Sequence, residues 1–271
     1  VQPGKELAIN PGQVFGKLEG ITVKDPAFGL DAVWIDASQR DEAQTLGYTV
    51  VDTSTVVATH LSSLLQQHAH ELLGHEGVQQ LLDMLARTSP KLIENLVPKT
   101  LSLGVVVKVL QNLLMEGVPI RDLRTIAETL AEQAPRSQDP DMLTAAARVK
   151  LSRMIYQKIN GMEPTLEAMA LDPKLEQLLL QSMQGAHEGG PGLEPGLAEA
   201  MLQSLVENTR QQEAKGHTAV LLVSPQLRQW LAEFVRGSVS GLNILAYTEV
   251  TDNKQVKVVA TIGGESYALA S

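Results

Sequence analysis

The densest group of side chains able to do chemistry is His70-Glu71-Leu72-Leu73-Gly74-His75, with His68 just upstream. A zinc-hydrolase helix places two histidines four positions apart, so both rings reach one metal beside a glutamate base. Here the spacing is five, about 140° around a helix, and Gly74 can end the helix before the second ring arrives. A metal held by His68, His70 and His75 would have to form at a helix end, without a specified fourth ligand. Ordinary helix-terminal histidines are the simpler reading, since positive charge is mildly favourable at a helix C-terminus. A His-dependent metal hydrolase built on these residues and Glu71 stands as its rival.

Other signatures are weaker. Gly185 to Gly192 is glycine-rich but holds no Lys-Ser or Lys-Thr, and Glu194 follows it. Phosphate binding needs backbone donors and usually a lysine, so this stretch reads as a mobile loop. Asp139 and Asp141 flank Pro140, where helix capping accounts for Asp139 without acid–base chemistry. Arg121, Asp122 and Arg124 cluster where a helix should open and read as a solvated face, with a contact to a neighbouring subunit or domain as the alternative. The run Asp25-Pro26-Ala27-Phe28-Gly29-Leu30 sets one of only three phenylalanines in a turn. That ring could close the edge of a core or line a shallow apolar dimple for a protein partner.

The elements that must position these residues change character twice along the chain. Leu7 to Ile9, Ile21 to Val23, Asp31 to Ile35 and Thr49 to Val51 are short, β-branched runs closed by turn residues such as Asn10-Pro11-Gly12 and Asp25-Pro26. They predict a small β-rich unit with a helix over Ser38 to Thr45. From Ser54 to about residue 158 apolar residues recur at helical spacing, with Ser89-Pro90 and Asp139-Pro140 as helix starts and Gly117 as a stop. After the start at Ser89-Pro90 a longer helix follows, carrying Leu103, Val106, Val107, Leu110, Leu113 and Leu114. The remainder returns to α/β, with a helix or strand after Asp172-Pro173, a helix over about Leu193 to Lys215, a strand at Ala219 to Val223 and a helix from Ser224-Pro225. Strands Leu242 to Val250 and Val256 to Ile262 are expected to form a hairpin through Thr251 to Lys254. The fold class is thus α+β / α/β with several subdomains: a β-rich N-terminal unit, a central helical bundle and a C-terminal α/β part.

Composition excludes whole classes of function. The 271 residues carry 22 basic and 31 acidic side chains, a net charge of −9, which argues against a nucleic-acid surface. With no cysteine, thiolate catalysis, disulfides and cysteine-ligated metals are out. Only 3% of residues are aromatic, so the core must be mostly aliphatic. No signal peptide is visible, and no apolar run approaches the roughly 20 residues that span a bilayer.

Several strings resemble the cytoplasmic domain of the FlhA family, the large export-gate subunits of the bacterial flagellar type III secretion apparatus. They include Leu7 to Gly12, Asp25 to Ile35, Gly47 to Asp52, Thr55-Val56-Val57-Ala58-Thr59-His60-Leu61, Val109 to Leu114, Val118-Pro119-Ile120-Arg121-Asp122-Leu123-Arg124-Thr125-Ile126 and Ala260 to Gly264. The likeness covers almost the whole chain in order, and the flagellar branch fits better than its virulence-secretion relatives. It implies a non-enzymatic docking and sorting platform without a cofactor or metal, at the flagellar basal body. The membrane would be met only through an absent N-terminal half. Implied partners are export chaperone–substrate complexes, the export ATPase complex, the companion gate protein that switches substrate class, and further copies in a ring, nonameric in the family. Four subdomains are implied: residues 4–52 as an inserted unit, 53–72 as the returning helix of an incomplete first subdomain, 73–152 as a helical unit and 153–271 as an α/β unit. If the rest of the first subdomain is absent, that returning helix should expose an apolar side. The chaperone-binding dimple of the family falls on Asp25, Phe28 and Thr59. A purely structural ring-forming subunit is the remaining alternative.

Overall fold

The computed structural model describes residues 1–184, 193–251 and 253–263. The chain divides into two compact units, Val1–Leu73 and Gly74–Ser271. In the first, strands β1 (Lys5–Ile9), β2 (Ile21–Lys24), β3 (Asp31–Asp36) and β4 (Thr49–Asp52) form an antiparallel sheet in the order β2-β3-β1-β4. Alternate residues of a strand face opposite sides, and here both sides are covered. Leu7, Ala32 and Trp34 pack with Val56, while Ala8 and Ile35 pack with Ala43 and Tyr48. Ala43 lies on α1 (Arg40–Thr45) and Val56 on α2 (Thr53–Gln67), so each helix seals one face of the sheet. Asp52 caps α2 by accepting a hydrogen bond from the Thr55 amide at 2.7 Å, and α3 (Ala69–Leu72) ends the unit.

The second unit begins with a helical array: α4 (His75–Ala86), α5 (Pro90–Leu96), α6 (Leu103–Met115), α7 (Leu123–Gln133), α8 (Pro140–Lys150) and α9 (Ser152–Asn160). A helix opens at Pro90, and the longer one carrying Leu103 to Leu114 is α6, with a break between the two. Pro98, in a cis bond to Val97, lies in the break. Proline has no amide to donate and disfavours helical geometry in the residue before it. Ser102 restarts the helix as an N-cap to Val105. Asp122 and Asp139 act as caps, their carboxylates accepting from the Thr125 and Asp141 amides. Arg124 pairs with Glu128 one turn away on the exposed surface.

An α/β layer follows, with β5 (Thr165–Leu171), α10 (Pro173–Gln184), α11 (Pro195–Ala214), β6 (Val220–Val223), α12 (Pro225–Val235), β7 (Asn243–Ala246) and β8 (Gln255–Ile262). Its four strands lie in the order β7-β6-β5-β8, and every pairing is parallel. The expected hairpin between residues 242–250 and 256–262 does not exist. β7 pairs with β6, β8 pairs with β5, and a 3-10 turn at Tyr247–Glu249 leads away from β7. Central parallel strands are covered on both faces, as the fully buried Val220–Val223 shows. The glycine-rich stretch 185–192, Asp252 in the presumed turn and Gly264 lie outside the described residues.

Candidate protein-binding site

The turn between β2 and β3 is locked from within. Asp25 N–H donates to the Leu30 carbonyl at 2.7 Å, and Gly29 N–H donates to the Asp25 carbonyl at 2.8 Å. The Asp25 carboxylate Oδ2 accepts from the Phe28 amide at 2.7 Å and the Ala27 amide at 3.2 Å. Gly29 sits at φ +69°, in the left-handed region that favours glycine. Asp25 is only 4% exposed, whereas Phe28 is 69% exposed and Leu30 is 41% exposed. The buried carboxylate therefore ties down the backbone beneath the ring and leaves the ring in solvent. Lys24 and Asp31 pair at 2.7 Å at the base of the turn, both well exposed, so this pair adds little.

Thr59 lies on α2 and is half-buried. It stands one turn beyond Val56, which belongs with Leu7, Ala32 and Trp34 to the cluster that Val23, the residue two before Asp25, packs against. This shared cluster ties the helix of Thr59 to the strand that leads into the turn. Among the described residues no hydrogen bond or ion pair joins Thr59 to Asp25 or Phe28. The geometry thus places Asp25 and Phe28 in one turn, while Thr59 stands apart on α2, which packs against β1 and β4. Leu30 enlarges the apolar patch. It stands in the same sequence string, but its exposure had no signal there.

A second exposed surface runs along α2. Val57, Leu61, Leu64 and Leu65 are 40–55% exposed. Their spacing of four, seven and eight puts them on one stripe, roughly opposite Thr59 around the helix.

The histidine cluster is divided. His68 closes α2 and His70 lies in α3, within the first unit, while His75 opens α4 in the second. His68 Nδ1 is 2.8 Å from Glu71 Oε1, and this hydrogen bond holds the Glu71 carboxyl below the usual carboxylate range. No group of three or more His, Asp or Glu able to hold a metal occurs among the described residues. Likewise no helix among them is long and apolar enough to cross a membrane.

The most heavily buried polar constellation is elsewhere, and sequence reading missed it. Glu116, Arg148, Arg228 and Glu249 meet inside the second unit, with side-chain exposures of 11%, 3%, 4% and 2%. Burial would push the Arg148 pKa down. Hydrogen bonds and attraction from Glu249 and Glu116 outweigh it and hold it above the ordinary value. Arg148 is 101 residues from Glu249, and Arg228 is 112 from Glu116. No local spacing could reveal such partners.

Comparison with known proteins places this geometry in context. The FHIPEP family profile matches residues 1–255. The flagellar biosynthesis protein FlhA of Escherichia coli K12 is 51% identical over 263 residues, 97% of this chain. FlhA of Bacillus subtilis 168 is 35% identical over 94% of the chain. The chain spans 37% of the length of the E. coli protein and 38% of the B. subtilis one. Among solved structures, Chlamydia pneumoniae CdsV in complex with CdsO superposes with a TM-score of 0.84 at 21% identity, over 97% of this chain and 76% of that one. The nonameric EscV cytosolic domain of a type III secretion system gives 0.75 at 22% identity, over 97% and 78%. At these identities the likeness is one of fold.

Proposed function

The chain belongs to the FHIPEP family, and on that premise we propose that it is the cytoplasmic docking and sorting platform of a flagellar type III export gate. It binds export chaperone–substrate complexes and catalyses no reaction. The observation that carries this reading is the Phe28 ring, held 69% exposed by a turn whose own carboxylate is buried beneath it. An aromatic kept in water by a rigid backbone loses little conformational freedom on binding and buries much apolar area, the character of a hot-spot anchor. Phe28 and Leu30 supply the apolar contact, Asp25 fixes the turn, and Thr59 offers a polar rim from α2. The likeness of the fold to a nonameric cytosolic domain supports assembly into a ring, and the fold solved with CdsO supports docking of further export components. In this chain those components would be the export ATPase complex and the switch protein of the gate. The membrane is reached through the part of the longer protein that this chain does not span.

Four subdomains, at 4–52, 53–72, 73–152 and 153–271, complete the proposal. The exposed stripe of Val57, Leu61, Leu64 and Leu65 supports reading 53–72 as the returning helix of a first subdomain whose remainder precedes this chain. Titration calorimetry of the chain against a flagellar chaperone–substrate complex, the chaperone alone and the substrate alone tests the function. Saturable binding of the complex, stronger than either component, is expected. Absence of binding to all three, by the chain and by a version extended upstream, would overturn it.

A further inference from the structure

Three hollows adjoin along one side of the second unit. The first, about 370 Å³, lies between α8 and a wall that includes Pro225 and Thr248. The second, about 440 Å³, shares Val149 and Thr248 with it. The third, about 180 Å³, shares Arg153, Thr251 and Asn253 with the second and reaches Met162 and Lys254. Together they make one groove. Its helical wall is a single stripe of Met142, Ala146, Val149, Arg153 and Gln157, each three or four residues after the last, carried from α8 into α9. The opposite wall comes from the chain that leaves β7, including Thr248, Thr251 and Asn253. Beneath them, in the core, Arg148 of α8 donates to both carboxylate oxygens of Glu249 at 2.7 and 2.8 Å, which fixes one wall against the other.

The chemistry of this groove differs from that of the chain as a whole. Met142, Val149 and Met162 are 61%, 40% and 82% exposed. Methionine is unbranched and polarizable, so it adapts to the shape of what it meets. Arg136 and Arg153 are exposed, and neither side chain has a hydrogen bond or ion pair among the described residues. Lys254 adds a third cation, donating to the Glu163 carbonyl at 3.0 Å above the Tyr156 ring. Among the described residues the carboxylate that lines the groove is Glu249, which is buried and already paired. Counting Asp252 of the intervening sequence, cations still prevail. On a chain of net charge −9 this is a local reversal of sign.

An anionic partner that also carries apolar side chains would meet both features. From Met142 to Gln157 the groove runs about 20 Å at the helical rise per residue. Even at one helix diameter across, about 10 Å, it would offer roughly 200 Å². A stable interface between folded chains takes about 800 Å² a side, so a second copy finds too little surface here. A short segment laid lengthwise needs no more. The free arginines would set its register and steer its approach, while the apolar side chains supply burial.

We propose that this groove is a docking site for a short acidic segment of a protein partner, whose apolar side chains seat beside Met142 and Val149. The site lies in the second unit, goes beyond the reading of Phe28 and would stand if that reading failed.

A phage-displayed library of random dodecapeptides, selected on the immobilised chain, is the probe. Counter-selection uses the variant Arg136→Glu with Arg153→Glu, both at exposed positions. Peptides that need the parent groove should be rich in Asp and Glu interleaved with Leu, Met or Phe. A recovered peptide, titrated by fluorescence anisotropy, should lose about tenfold in Kd on that variant. Lys17→Glu with Lys91→Glu makes the same change of net charge at exposed positions elsewhere, and should shift Kd less than about twofold. If the reversal lowers Tm, Arg136→Gln with Arg153→Gln reads the same site, with about a threefold loss expected. Selected peptides without acidic enrichment, equal Kd on the groove and control variants, or no peptide that depends on the groove would overturn the proposal. So would self-association, seen by sedimentation, that the groove variant abolishes, since the face would then be a contact between copies.

Discussion

Replacing Phe28 by alanine should separate docking from folding. A phenylalanine side chain offers about 200 Å² to a partner. With 69% of the residue exposed, about 140 Å² stands in water before docking. At ~25 cal/mol/Å² its burial contributes at most ~3.5 kcal/mol. Alanine keeps part of that contact, which leaves a loss of about 2–3 kcal/mol, or about 30–150-fold in Kd. The same arithmetic on the buried fraction, less what alanine retains, gives about 1 kcal/mol or less for folding. For a chain of this size that moves Tm by no more than about 4 °C. Calorimetric titration with a chaperone–substrate complex, paired with a thermal scan, reads both quantities. Unchanged Kd, or a Tm loss large enough to account for weakened binding, would refute the reasoning.

Four further outcomes follow from the same contacts. Asp25→Ala strips the Ala27 and Phe28 amides of their acceptor, so it should cost about 1–3 kcal/mol and weaken docking as well; thermal unfolding with amide exchange at Phe28 reads this. At Gly20 a Cβ would overlap the Trp34 carbonyl oxygen, so Gly20→Ala should displace the edge strand β2 and destabilise the first unit by about 1–3 kcal/mol on thermal unfolding. The Arg40 guanidinium holds the Glu6 carboxyl below its ordinary value of 4.5. Because the folded pKa is the lower one, this pairing stabilises above the unfolded value and is lost as pH falls through the folded value; carboxyl NMR of Arg40→Ala should show Glu6 returning towards 4.5. Extending the chain upstream should bury the α2 stripe, seen as slower amide exchange from Val57 to Leu65 than in this chain, whereas equal exchange would count against the returning-helix reading.

Legibility in the sequence followed the physics of each element. The first unit was readable because its β-branched runs are short, end at turn residues and alternate across a sheet covered on both sides. Helices starting at Pro140 and Pro225 were readable for similar local reasons, since proline is tolerated at the first helical position. The parallel sheet was less so. Val220–Val223 is buried throughout and has no alternation to mark a partner, and β5, carrying Glu167 amid alanines and methionine, was missed. Two strands near in sequence were therefore expected to pair, although each joins a distant one. At the proposed docking surface, Asp25-Pro26 and Gly29 announced a turn. That the carboxylate would fold inward and the ring outward depends on which amides lack other partners, and sequence does not record that. Arg148 and Arg228 lie more than a hundred positions from Glu249 and Glu116 respectively, beyond any local pattern.

The most direct test exchanges Phe28 for a photoreactive benzoyl-phenylalanine, with the same exchange at Phe15, which is 85% exposed, as the reference. Irradiation with a chaperone–substrate complex should give an adduct from position 28 that excess unlabelled chain suppresses, and little from position 15. Adducts from position 15 alone, or from neither position while calorimetry still detects binding, would place docking elsewhere on the chain.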